Sequence, residues 1–187
     1  MLFRSDALIK QANREIKVLN LFAYTGGATV AAAKAGAFVC HVDAAKGMVS
    51  HAKENAKLTG ISENKIRYIV DDCVKFVERE IRRGNKYDAI IMDPPSYGRG
   101  PSGEIWKIET ELFGFVQKCV KVLSDNPLFV LLNSYTTGLS GVTMQNVLDM
   151  TISTKYGGRA VSDEIGLPMI SNKFVLPCGY SSRWSIT

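Results

Sequence analysis

The sequence predicts an α/β fold: a seven-stranded, mostly parallel sheet with helices on both faces, ended by a C-terminal antiparallel hairpin. Three observations predict it. Short apolar runs rich in β-branched residues alternate with longer stretches of helical spacing. An acidic residue closes three of those runs in succession. Near the C-terminus the alternation stops, and two strand-like segments follow one another with no room for a helix between them.

The first strand is expected at 16–22 ("IKVLNLF"), followed by the loop "AYTGG" and an alanine-rich helix that ends at Gly36. A second strand at 37–43 leads into a helix whose apolar positions Ala45, Met48, Val49, Ala52, Ala56 and Leu58 follow a helical period, with Gly60 as its C-terminal cap. After a third strand at 65–72, "CVKFVEREIRRG" sets Val74, Val77 and Ile81 on one helical face and stops at Gly84. Strands at 87–93 and 128–134 complete the parallel set, since parallel neighbours need a crossover and the crossover is usually helical. A helix over 143–154 precedes the hairpin, whose turn signals are Gly-Leu-Pro at 166–168 and Ser-Asn at 171–172.

Composition narrows the setting. A chain of 187 residues can bury roughly two thirds of its unfolded surface in one core, so residues 1–187 are read as a single domain. Cys40, Cys73, Cys119 and Cys178 form no C-x-x-C pair and read as reduced thiols, which points to the cytoplasm and to neither a disulfide framework nor a zinc site. His41 sits inside a strand and His51 on a polar helix face, neither with a metal-spaced partner, so no metal is expected. No window approaches the ~18 uninterrupted apolar residues of a membrane span. The net charge of +5 leans slightly towards a polyanionic partner without deciding it.

In an open parallel sheet, ligands bind in the crevice beyond the carboxyl ends of the strands. Those ends read Phe22-Ala23-Tyr24-Thr25-Gly26-Gly27, then Asp43, then Asp71-Asp72, then Asp93-Pro94-Pro95, then Asn133-Ser134-Tyr135. One such aspartate is an ordinary helix cap, but three in register behind a Gly-Gly turn point to a nucleoside. Asp43, 16 residues past Gly27, is placed to accept both ribose hydroxyls. Asp72 can read an adenine whose plane Cys73 and Val74 line. The G-x-G-x-x-G spacing that a pyrophosphate requires is absent, because the next glycine after Gly27 is Gly36. A cofactor with a ribose, an adenine and a methionine tail but no phosphate, S-adenosylmethionine, fits that pattern.

The set "VLNLFAYTGGATV", "VDAAKGMVSHAKENAKLTG", "YIVDDCVKFVERE" and "YDAIIMDPPSYGRG" resembles class I S-adenosylmethionine-dependent methyltransferases. Within them it is most similar to the branch of bacterial 23S rRNA large-subunit methyltransferases that act on cytosine C5 or guanine N7. The resemblance implies a Rossmann-like catalytic domain spanning the chain. It implies that Phe22, Ala23, Tyr24, Thr25, Gly26 and Gly27 surround the methionine moiety, that Asp43 and Ala44 lie at the ribose, and that Asp72 and Cys73 lie at the adenine. Asp93 would stand between cofactor and acceptor, with Pro94, Pro95 and Tyr97 completing the catalytic loop. Family members carry a further N-terminal region that recruits substrate, whereas about 17 residues precede the first strand here, so a catalytic-domain-only or truncated form is expected.

For the acceptor, Asp93 can hydrogen-bond a base amino group or ring nitrogen and Tyr97 can stack on a base. An acid stands where amino-group adenine methylators have an asparagine, and the aromatic comes one residue later. Cytosine C5 chemistry needs a cysteine nucleophile, normally after the fifth strand, where this chain reads "LLNSYTTGLS". Cys178, in the terminal hairpin, reads as a buried or lining residue. Direct in-line transfer to an RNA base, rRNA above all, is therefore the expectation. A protein or small-molecule acceptor is the alternative, and a non-catalytic nucleoside- or RNA-binding module is the third reading. Arg99, Lys107, Arg159 and Arg183 are the candidates for phosphate contacts, with Tyr135 as a stacking surface and Trp106 as either a stacking surface or a core residue. Arg79, Arg82, Arg83 and Lys86 read as a solvated helix end.

Overall fold

The computed structural model describes residues 2–99 and 103–186, with side chains from Ser5 onward. In chain order the elements are α1 (Leu2–Gln11), β1 (Lys17–Leu21), α2 (Gly27–Lys34), β2 (Phe38–Asp43), α3 (Lys46–Leu58), β3 (Ile66–Val70), α4 (Cys73–Arg83) and β4 (Ala89–Met92). Then come β5 (Tyr97–Arg99), β6 (Ile105–Lys107), α5 (Ile108–Val120), β7 (Phe129–Ser134) and α6 (Gly141–Leu148). A π-helical turn (Asp149–Ser153) leads to the short α7 (Thr154–Tyr156), β8 (Arg159–Pro168) and β9 (Val175–Ser185).

Seven strands form one sheet in the order β3-β2-β1-β4-β7-β9-β8. The first five are parallel, while β9 runs antiparallel to both β7 and β8. The expected architecture is therefore the observed one. Alternate residues of the strands feed two cores. Leu19, Leu21, Val42, Ile90, Met92 and Leu132 pack with Phe76 of α4, Phe115 of α5 and Met144 of α6. Val18, Val39, Ala89, Ile91 and Leu131 pack with Ile9 of α1 and Ala32 and Ala33 of α2. Burial on both sides explains the near-continuous apolar strands, because parallel strands covered on both faces lose the alternation of a half-exposed sheet.

Register aligns the strand ends. Leu21 pairs with both Val42 and Met92, and Met92 with Leu132, so Phe22, Asp43, Asp93 and Asn133 emerge at one level. Between β1 and β4 the strand order reverses, which is where a doubly wound sheet opens its crevice.

Several expectations change in detail. Leu58 is 84% exposed rather than part of the buried face of α3, which consists of Val49, Ala52 and Ala56. The buried face of α4 is Cys73, Phe76, Val77 and Glu80, with Val74 and Ile81 at its margins. Gly-Leu-Pro lies within β8, after a register shift at Ile165/Gly166, and the turn is confined to 169–174. The α1 helix and the β5–β6 ribbon were not foreseen. Three-residue strands are too short to show a hydrophobic period.

Candidate active site

The loop after β1 takes its shape from backbone conformations that few residues adopt. Phe22 (φ 55), Tyr24 (φ 49) and Gly26 (φ 82) all have positive φ. Gly26 is also pinned sterically, since a Cβ there would lie 2.9 Å from the Cβ of Ala52 and 3.6 Å from Cε1 of His41. A side chain at this position would collide with Ala52 on α3, and the φ of 82° disfavours any L side chain, so two independent constraints require glycine. Gly27 has open space around it and begins α2. Beneath the loop, Asn20 Nδ2 donates to Thr29 Oγ1 at 2.8 Å, and Thr29 Oγ1 lies 2.9 Å from His41 Nδ1. All three are buried. Burial holds His41 down to a pKa of about 4, so the ring is neutral and packs as expected, while His51 is exposed.

Strand-end carboxylates clamp this loop from the side. Asp43 accepts the Tyr24 amide at 2.8 Å through one oxygen and the Ala45 amide at 2.8 Å through the other, leaving the remaining lone pairs of both oxygens for a ligand. Asp72 caps α4 by accepting the Lys75 amide at 2.9 Å. Its neighbour Asp71 pairs with Arg79, which accounts for one member of the basic helix end. Cys73 is only 2% exposed. Its thiol accepts the Phe22 amide at 3.2 Å, so the side chain secures the loop from below.

Across the switch point stands the Asp93 loop. Asp93 is half-buried, and desolvation raises its pKa to about 6. Pro94 is buried and Pro95 exposed. Ser96 Oγ lies 2.7 Å from Thr136 Oγ1 in the segment after β7, and the Ser96 carbonyl accepts the Ile108 amide at 3.1 Å. Three tyrosines from three strand ends rim the crevice: Tyr24, Tyr97 and Tyr135 are 64%, 50% and 55% exposed. Burial, and then proximity to Asp93 and Cys178, raises the Tyr135 pKa. Cys178 is the extra residue of the β9 register shift, and the next residue, Gly179, passes so close to the end of β7 that a Cβ would lie 2.3 Å from the Ser134 carbonyl oxygen.

The four basic candidates separate. Arg99 and Lys107 are exposed on the ribbon, which leaves the sheet just past Asp93. Arg159 lies level with Ser185 and Phe129, at the amino edge of the sheet, and Arg183 pairs with Leu131 in mid-strand. Antiparallel return carries these two away from the strand ends, so proximity in sequence to an active segment misplaced them. Trp106 takes the core alternative, being half-buried against Phe22 and Phe115 with its indole N–H on the Pro95 carbonyl at 2.7 Å. Among the described residues, no group of three or more His, Cys, Asp or Glu could hold a metal ion, and no helix is long and apolar enough to cross a membrane.

The crevice fits a phosphate-free nucleoside cofactor: a tight glycine loop at a helix start, with two strand-end carboxylates beside it and a third across the gap. Comparison with known proteins agrees. A family model described as S-adenosylmethionine-dependent methyltransferase matches residues 4–106. The ribosomal RNA large subunit methyltransferase K/L of Shewanella oneidensis is 30% identical over 159 residues, covering 80% of this chain and 22% of that protein. The methyltransferase K of Neisseria meningitidis serogroup B is 27% identical, over 87% of this chain and 44% of its own length. The chain thus spans less than half of either curated relative. A crystal structure of the SAM-dependent methyltransferase from Agrobacterium tumefaciens superposes with a TM-score of 0.92 at 38% identity, covering 100% of this chain and 61% of that one. Another, SMU.776 in complex with SAH, shares the fold at TM-score 0.75 and 21% identity, over 97% and 48% of the two chains. With more than half of its length matched by the family model, the chain belongs to the S-adenosylmethionine-dependent methyltransferase family.

Proposed function

We propose that this chain transfers the cofactor's methyl group to a base of RNA, with ribosomal RNA as the substrate class, by direct in-line displacement and without a covalent cysteine intermediate. The observation that carries the reading is the acceptor side of the crevice. A half-buried carboxylate, Asp93, is accompanied by the exposed Tyr97 at the start of β5 and Tyr135 just past β7, with Arg99 and Lys107 on the adjoining ribbon. Stacking of a base on an aromatic contributes about 1 to 3 kcal/mol, and arginine or lysine beside it meets the backbone phosphate. The names of the Shewanella and Neisseria relatives support the same acceptor.

In this reading Phe22, Ala23, Tyr24, Thr25, Gly26 and Gly27 enclose the methionine end. Backbone amides at the start of α2 meet its carboxylate, because helix N-termini favour negative charge. Asp43 with Ala44 holds the ribose, and Asp72 with the backbone of Cys73 reads the adenine. When bound, S-adenosylmethionine supplies a methyl group made electrophilic by its sulfonium. Asp93 accepts a hydrogen bond from the acceptor's amino or ring N–H and takes up the departing proton, a role suited to a pKa near 6. Pro94 and Pro95 stiffen the loop, so that positioning supplies a large share of the rate. The end of β7 and the segment after it offer Ser134, Tyr135 and Thr136 but no thiol, which disfavours C5 chemistry.

Tritiated methyl incorporation from S-adenosylmethionine into RNA, protein and small-molecule fractions tests the proposal. Label in RNA is the expected outcome. Label confined to protein or metabolites overturns it.

A further inference from the structure

The cofactor loop and the Asp93 loop are joined physically by one side chain that neither motif contains. Trp106, on β6, donates its indole N–H to the Pro95 carbonyl at 2.7 Å. Its ring is 5.6 Å from that of Phe22, in the cofactor loop, and 5.6 Å from that of Phe115 on α5. Phe22 and Phe115 are also 5.6 Å apart, so the three rings form a closed triangle of tilted and edge-to-face contacts, the geometry that aromatic quadrupoles favour. Phe22 has a positive φ and gives its amide to Cys73, so its own position is fixed by the loop's backbone. Two residues before Trp106, Glu104 is 2.5 Å from Lys75, whose amide is capped by Asp72. The β5–β6 ribbon is therefore held to the Pro95 carbonyl by Trp106 and, just before β6, to the first turn of α4 by the Glu104–Lys75 pair.

We propose that Trp106 is a positioning residue that couples the two halves of the site, so that ordering of the cofactor loop sets the placement of Asp93-Pro94-Pro95. The inference rests on the reading of the Asp93 loop as the acceptor side. Its logic is geometric: Phe22 cannot shift without moving the indole, and the indole cannot shift without releasing Pro95. No other contact between the two loops is needed for the link, which uses a packed ring on one side and a directional hydrogen bond on the other. The two can be removed separately.

The experiment uses the intact chain with S-adenosylhomocysteine (SAH) as probe. The sequence has two tryptophans, and Trp184 is wholly buried on β9 with its N–H on Gly157, so it serves as an internal reference. SAH titration is expected to change tryptophan emission in the wild type. In Trp106→Phe that change disappears although calorimetry still records binding within about threefold of wild-type affinity. The phenylalanine keeps the ring contact and loses the hydrogen bond. Methyl transfer is expected to fall about tenfold, with KM for the cofactor and the melting temperature nearly unchanged. Trp106→Ala loses both links and weakens SAH binding as well. Emission indifferent to saturating SAH, wild-type turnover in Trp106→Phe, or parallel loss of affinity, stability and turnover in that variant overturns the proposal. The fluorescence and calorimetry need no acceptor, so an RNA fraction that takes no label counts against the acceptor and not against the coupling.

Discussion

The two sides of the crevice are built by different means. On the β1–β3 side, the candidate recognition groups are backbone segments and carboxylates already held by one another: Asp43 grips two amides, Cys73 a third, and Asp72 caps a helix. On the β4–β7 side, the candidate groups are side chains that, among the described residues, no neighbouring amide grips in this way: the half-buried Asp93 and the exposed Tyr97 and Tyr135, with Tyr97 carried on the ribbon itself. A site of the first kind is rigid before its ligand arrives. One of the second kind offers surfaces on which a large, variable partner can be arranged. That difference suits a cofactor of constant shape opposite an acceptor whose context varies.

The largest expected effect lies on the acceptor side. Asp93→Asn should lower methyl transfer by about 10²–10³-fold while SAH affinity changes by less than about tenfold. With the wild-type carboxyl titrating near 6, turnover should rise with pH through that value as the group ionises, and the asparagine variant should show no such limb. Equal losses in both parameters would erase the division between the two sides.

Next comes Asp43→Ala, which removes the acceptor for two amides and, in the proposed reading, the ribose partner together. Hydrogen bonds to a charged group contribute about 1.5–3 kcal/mol each, so SAH affinity measured by calorimetry should fall at least about 100-fold. Gly26→Ala brings a Cβ to 2.9 Å from that of Ala52 at a φ of 82°. A loss of about 1–3 kcal/mol in urea unfolding should accompany weaker SAH binding. If the loop tolerates alanine at full affinity, the cofactor side is less rigid than its geometry states. The smallest effect is expected for Arg99→Gln, on the ribbon. It should weaken RNA binding without sequence preference and reduce the salt slope by about one, and SAH affinity should stay as it was.

Much of this architecture is visible in one dimension. The five parallel strands fall within about two residues of their expected positions at either end, because continuous apolar runs bounded by glycine or aspartate have few other uses. The cofactor loop is visible for a related reason: Gly26 occupies a conformation and a space closed to other residues, so the chemistry must appear as a letter. Arg159 and Arg183 show the opposite case. Their distance from the crevice follows from the antiparallel return of β8 and β9, which spacing alone does not reveal.

By itself, then, the sequence determined the order of strands and helices, the glycine turn and the row of strand-end aspartates. Each of these is a local demand on backbone conformation or on side-chain period. Only the tertiary structure decided that Trp106 meets Phe22, 84 positions away, and that Ser96 meets Thr136, 40 positions away. Such contacts depend on which strands become neighbours and on how far a ribbon folds back. Many residues could satisfy them, so the chain carries no local mark of the ones that do.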